Sequence, residues 1–218
     1  EEINEAFDTD AKVLSANELL YAATLTNDKA RQEAIYKKTT ELYPNDFRAY
    51  NNLGMMAYAN GDFTTAENYF KQAASKDSNA PEVNTNLGYI ELVKGNVANA
   101  ETYLSKSTGA NTANEALGNL YIKQGQYDRA VQAFGDTKTN SAALAQILAK
   151  DYNKAKNTLN AVKNPDAYTD YLMAIVGART NNADLVKTSM AKVAQKDATL
   201  AAKAQIDREF AKYANEIK

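Results

Sequence analysis

The sequence predicts an all-α protein, an α-solenoid of about 13 helices in helix-turn-helix repeats with no strands. Three observations carry this. First, Leu53-Gly54, Leu87-Gly88 and Leu117-Gly118 each open the same spaced pattern. Second, each is followed at fixed offsets by a second glycine (Gly61, Gly95, Gly125) and a ring or β-branched residue (Phe63, Val97, Tyr127). An alanine (Ala66, Ala100, Ala130) and a large apolar residue (Phe70, Leu104, Phe134) then complete each copy. Third, the first two copies lie 34 residues apart, a period that belongs to paired helices stacked in a row.

Each slot has a physical reason. The first glycine of each copy falls mid-helix, where glycine costs about 1 kcal/mol against alanine. That cost predicts a place where two helix backbones come too close for a Cβ. The second glycine falls just past the helix end, where a left-handed residue closes the helix cheaply. Asp62 and Asn96 stand where the second helix needs an N-cap, and Gln126 is a weaker choice there. The alanines keep the second helix narrow where it faces the first. Phe70, Leu104 and Phe134, one turn on, fill the space between repeats. The whole pattern is packing rather than chemistry.

These residues resemble the tetratricopeptide repeat family. The best copy runs from Tyr50 through Asn52-Leu53-Gly54, Gly61, Phe63, Ala66 and Phe70 to Ala73. Tyr50 stands where the family often has tryptophan, Tyr121 holds the helix-A tyrosine slot, and Pro44 takes the inter-repeat proline position. Ala57 and Glu91 depart from the family at the tyrosine slot, and Ser78 replaces proline. The resemblance implies a right-handed superhelix whose first helices line a concave groove.

Along the chain, residues 1–9 read as an acidic leader and 10–218 as one continuous solenoid. Residues 10–46 form a loose capping repeat with helices near 10–26 and 28–43, Leu20 and Gln32 replacing the glycine and alanine. Clear repeats follow at 47–80, 81–110 and 111–138. The third begins four residues early, so a turn is shortened around Ser107-Thr108-Gly109-Ala110, either changing the pitch or bending a binding surface. Degenerate repeats occupy 139–196, with helices near 140–149, after Asp151, 165–180 and 183–196. A single amphipathic helix over 198–216, with Leu200, Ile206, Phe210 and Tyr213 on one side, caps the end or offers a partner surface.

Composition narrows the function classes. The 25 basic and 27 acidic residues interleave to a net charge of −2, so no nucleic-acid footprint is visible. The local basic excess from Lys150 to Lys163 reads as a solvated face. With no cysteine and no histidine, disulfides and ordinary zinc sites are excluded, and no cofactor or metal is expected. The longest apolar run, Tyr171 to Ala178, is too short to span a bilayer, so this segment inserts in no membrane directly. Twenty-four asparagines occur without one Asn-x-Ser/Thr sequon, which disfavours a eukaryotic secretory glycoprotein. The richness in Asn, Ala, Thr and Tyr looks like exported proteins of Bacteroidetes-type bacteria. The stretches Glu41-Leu42-Tyr43-Pro44-Asn45-Asp46-Phe47-Arg48-Ala49-Tyr50-Asn51-Asn52-Leu53-Gly54 and Ala174-Ile175-Val176-Gly177-Ala178-Arg179-Thr180 resemble the repeat segment of larger cell-envelope proteins from that group. That resemblance implies a periplasmic or outer-membrane-associated module, with the cytoplasm as the alternative. The absence of an initiator methionine fits a mature form or a fragment.

The groove register places Arg48, Asn51, Met55 and Tyr58 of the first clear repeat on the concave face. Glu82, Thr85, Tyr89 and Leu92 follow in the second, and Thr112, Glu115, Asn119 and Ile122 in the third. This set suits a peptide or partner protein, although Tyr58 and Tyr89 could instead pack against neighbouring repeats. The lysines and arginine of the family's carboxylate clamp are missing, so a clamp for chaperone tails is rejected. No catalytic residues are expected: without His or Cys, proton transfer or nucleophilic attack falls to carboxylates, Lys, Tyr or Ser, and no phosphate loop is present. Glu67 and Glu101 recur beside the packing alanine and read as solvent-face residues. The function expected is a non-catalytic scaffold that binds a peptide or protein in the groove. The alternatives are a spacer or self-assembly module of an envelope complex, or a regulatory arm of an enzyme in a longer chain; the oligomeric state is open.

Overall fold

The computed structural model describes residues 1–107 and 111–218. Among them are fourteen α-helices, two 3-10 helices and no strand. They form two compact units, Glu1–Ala113 and Asn114–Lys218. Repeat arrays hold together through nearest-neighbour contacts alone, so nothing in the sequence pattern forces equal cohesion along the chain. The shortening expected around residues 107–110 lies outside the described residues beyond Ser107.

The first unit begins with α1 (Glu2–Asp10), a 3-10 turn (Ala11–Val13), α2 (Ala16–Thr24) and α3 (Lys29–Leu42). It continues through α4 (Phe47–Ala59), α5 (Phe63–Lys76), α6 (Pro81–Val93) and α7 (Val97–Lys106), each packing on its sequence neighbour from α2 onward. The acidic leader is therefore helical. Ile3, Ala6 and Phe7 recur at helical spacing and pack on the Leu14, Leu19 and Ile35 core. Arg31 holds the leader from the far side, lying over the Phe7 ring and 2.9 Å from Asp8. The helix expected over 10–26 is shorter, because Ser15 and Glu18 form a capping box that starts α2 at Ala16.

The second unit contains α8 (Asn111–Lys123, its first turn falling in the first unit), α9 (Tyr127–Phe134), α10 (Asn140–Leu148) and α11 (Tyr152–Asn160). It ends with α12 (Ala167–Arg179), α13 (Ala183–Lys196), α14 (Ala198–Ala204) and a 3-10 helix (Arg208–Tyr213). The single helix expected over 198–216 is thus broken in two. Asp207 accepts the Tyr171 hydroxyl and the Glu209 amide, stopping one helix and capping the next. The break turns Phe210 and Tyr213 into the core of α12 and α13 and leaves Ile206 85% exposed, off the apolar side assigned to it.

The mid-helix glycines contact something other than the expected neighbour. A Cβ on Gly54, Gly88 or Gly118 would lie 2.5–2.7 Å from the side chain of Phe70, Leu104 or Phe134, not from a facing backbone. The two ends of the repeat pattern are one contact: the large residue sits on the glycine. It reaches the next repeat too, since Phe70 shares a core with Val83, Leu87 and Ile90. Gly88→Ala gains about 1 kcal/mol of helix propensity. It loses about 1–3 kcal/mol to overpacking against the fully buried Leu104. We expect net destabilisation in thermal melts, and a neutral or favourable effect of the same change in a Leu104→Ala background. Equal effects in both backgrounds would remove this contact from the argument.

The left-handed turn residue outlasts the sequence motif. Gly61, Gly95 and Gly125 have φ near +75°, and the degenerate repeats put Lys150 (φ 65°) and Asn181 (φ 55°) in the same slot. A non-glycine residue there costs about 1–2 kcal/mol, against about 0.5–1 kcal/mol for glycine's extra unfolded-state entropy. Lys150→Gly is expected to raise the melting temperature by about 1–3 °C. A lower melting temperature would mean that Lys150 has a stabilising contact outweighing its strain.

Candidate functional site

The groove-facing register of the first unit comes from α4 and α6. Asp46 caps α4 by accepting the Arg48 amide and also grips the Arg48 guanidinium, Nη2 to Oδ2 at 2.6 Å. Arg48's hydrogen bonds hold the Asp46 carboxyl below its ordinary range, and the pair neutralises the one cation assigned to this part of the groove. Asn51 and Thr85, expected to face the groove, are buried. Asn51 Oδ1 accepts Asn86 Nδ2 at 2.9 Å, and Thr85 Oγ1 donates to the Pro81 carbonyl at 2.9 Å. These two positions couple repeats and brace a helix start. Tyr58 is half-buried and meets Phe63 edge-on, ring centroids 5.1 Å apart, so it packs within its own repeat.

What remains open is a concavity of about 300 Å³ bounded by Met55, Pro81, Glu82, Thr85, Asn86, Tyr89 and Thr112. Met55 is 51% exposed at its floor, and the Tyr89 hydroxyl donates to the Thr112 carbonyl at 3.3 Å. Glu82 is exposed and makes no ion pair among the described residues. Asn86 and Pro81 line the concavity although they lie outside the groove register read from the sequence. Asn86 was detectable because Asn52 precedes it in the same repeat slot; Pro81 had no signal beyond helix-start preference. Leu92 is half-buried. Glu115, Asn119 and Ile122 share one face of α8 in the second unit, Glu115 exposed and the others half-buried.

Behind the groove, a polar network replaces the tyrosine expected at Glu91. Lys94 bridges Glu91 (3.2 Å) and Glu67 of the preceding repeat (3.1 Å), while Asn96 and Asn99 donate to Glu91 Oε2. Asn96 therefore spends its side chain on Glu91 and does not cap α7. Glu67 is half-buried in this bridge and not merely on a solvent face. Burial pushes the Glu91 carboxyl upward, but hydrogen bonds from Asn96, Lys94 and Asn99 outweigh it and leave it below the usual range. Hydrogen bonds from Lys71 and Lys94 likewise hold Glu67 low. Lowered carboxylate values mean stability that is complete above the unfolded value, about 4.3, and lost as pH falls through the folded values. Glu91→Gln should therefore flatten the acid limb of urea unfolding midpoints plotted against pH; an unchanged limb would show that the network contributes nothing there.

Among the described residues, no cluster of His, Cys, Asp or Glu could hold a metal ion. No described helix is long and apolar enough to cross a membrane. In the third repeat the expected tyrosine is present: Arg129 lies 4.3 Å from the Tyr121 ring centroid and donates to its hydroxyl at 2.9 Å. The slots that look interchangeable in sequence therefore hold three different solutions: alanine, a charged network and a ring under a guanidinium.

Tetratricopeptide repeat models match residues 27–81, 51–116 and 115–138, together just over half of the 218-residue chain. The chain belongs to the tetratricopeptide repeat family. No curated protein matches it. Among solved structures, this tetratricopeptide protein is similar to pilF of Pseudomonas aeruginosa, at 13% identity and TM-score 0.70, covering 99% of this chain and 100% of that one. It is also similar to a chain of the APC/C hetero-tetramer Cut9-Hcn1 (16% identity, TM-score 0.67), covering 95% of this chain but only 45% of that one. A third relative in fold is YrrB, a tetratricopeptide protein with an unusual peptide-binding site (18% identity, TM-score 0.60, 77% of this chain and 97% of that one). At these identities the likeness establishes the fold: the chain is an all-α protein of the α-solenoid class. The family and the fold make it a protein-interaction scaffold.

Proposed function

We propose that this tetratricopeptide protein holds an extended peptide segment of a partner in the α4–α6 concavity and performs no catalysis itself. The observation that carries this is the half-exposed Met55 beside Tyr89, Glu82 and Asn86. Methionine and tyrosine offer large contact area with adaptable geometry. Asn86 and Glu82 add polar groups for a peptide backbone and for a basic side chain. The peptide-binding site named for YrrB supports the class of ligand. The cysteine-free, asparagine-rich composition supports a setting in the bacterial cell envelope, periplasmic or outer-membrane-associated.

The test is selection from a displayed random-peptide library on wild-type protein, with affinities of the enriched peptides then measured on Met55→Arg/Glu82→Arg. Both residues are exposed, so the variant should keep its helicity. We expect enriched peptides to bind the variant at least tenfold more weakly. Equal binding would move recognition off this face and favour the spacer or assembly role. Fractionation of native cells tests the setting: recovery with cytoplasmic markers alone would overturn it.

A further inference from the structure

The lysines from Lys150 to Lys163 are all exposed, as a solvated face requires, and one of them borders a crevice. Residues 150–196 carry eight basic and four acidic residues in a chain whose net charge is −2. Two of the lysines, Lys156 on α11 and Lys192 on α13, border one crevice of about 230 Å³ between α11, α12 and α13. Neither has an ion pair among the described residues. The single acid on the crevice wall, Asp170, is already matched by Lys196 at 2.7 Å.

Helical spacing puts the rest of the wall in place. Ser189 lies one turn before Lys192 on the same face of α13 and lines the crevice. The residue is 4% exposed, and its hydroxyl, which makes no hydrogen bond among the described residues, is open to the crevice. Leu159, Met173 and Leu185, one from each helix, supply an apolar wall beside it. Two cations without an ion pair, a hydroxyl facing the crevice and an apolar wall define a ligand with an anionic head and a short hydrocarbon body. The volume lies below the roughly 300–1,000 Å³ that encloses drug-sized ligands, so the body is short.

We propose that this crevice binds a small aliphatic carboxylate, its head held by Lys156, Lys192 and the Ser189 hydroxyl and its chain against Leu159, Met173 and Leu185. The site lies in the second unit and does not depend on the peptide reading of the α4–α6 concavity.

The test is a titration of the full chain with hexanoate, followed by amide chemical shifts. Acetate and hexan-1-ol serve as separate arms that remove the chain and the charge in turn. The expected result is saturable change confined to residues around 156–160, 169–173 and 185–192, with both control ligands at least tenfold weaker. Lys156→Met/Lys192→Met should weaken hexanoate at least tenfold. Ser189→Ala should weaken it several-fold while leaving the fold unchanged, since it removes a hydroxyl that bonds to nothing. Non-saturating shifts spread over the lysines would overturn the proposal, as would hexan-1-ol binding as well as hexanoate. The wild-type arms decide the matter even if a variant fails to fold.

Discussion

Phe210→Ala is expected to cost about 3–5 kcal/mol, the usual range for emptying a buried aromatic site. Phe210 is 1% exposed and meets the Tyr171 ring edge-on at 5.4 Å, within a core that includes Val186, Met190 and Val193. The 3-10 segment that carries it is short and has little helical cohesion of its own, so anchoring falls to this ring and to polar ties around it. Those ties are Tyr171 to Asp207, Arg179 to Glu209 at 2.5 Å, and Lys212 to Asn181 at 3.0 Å. Losing the ring should release the cap and expose the outer face of α13. Amide hydrogen exchange should then rise in α13 and α14 while amides of α2–α6 keep their protection, because stability in stacked repeats is local. Uniform loss of protection along the chain would contradict that local accounting.

Gly177→Leu is the second large effect. Here the expectation of closely approaching backbones holds, and it holds at a glycine outside the clear repeats. A Cβ at Gly177 would lie 2.9 Å from the Val186 backbone nitrogen and 3.2 Å from the Asn182 carbonyl oxygen. A side chain can rotate away from such a contact, whereas a backbone held by its own helix cannot. The gain of about 1 kcal/mol in helix propensity is then outweighed by overpacking at or above the upper end of about 1–3 kcal/mol. We expect α12 and α13 to separate, with a lowered melting temperature and lost protection in α13. Gly177→Ala should show a smaller loss in the same direction. A melting temperature at or above wild type for both would show that the two helices can slide apart without cost.

Several features were legible in the sequence because they follow from local requirements repeated at fixed spacing. Asp62 and Asp151 each accept a backbone amide at a helix start, a role that short polar side chains announce before an apolar run. The paired helices of residues 47–134 follow from glycine, alanine and a large apolar residue recurring together. The groove was only partly legible. Met55, Glu82, Thr85 and Tyr89 border the concavity, but Asn51 and Arg48 share their register and are taken up by Asn86 and Asp46, and the Thr85 hydroxyl is spent on Pro81. Register gives the direction of a side chain from its helix and says nothing about the partner waiting there.

By itself, then, the sequence determined the helical repeat, its turn positions and the family, because propensity, capping and periodic burial act over a few residues at a time. Tertiary structure alone decided that Phe70 rests on Gly54, that the leader folds back as α1, and that residues 198–213 break at Asp207 to bury Phe210. It also brought Lys156, Ser189 and Lys192 to one crevice. These outcomes depend on which distant groups meet, and the gain from burying a ring or satisfying a polar atom there exceeds the weak local preferences that can be read along the chain.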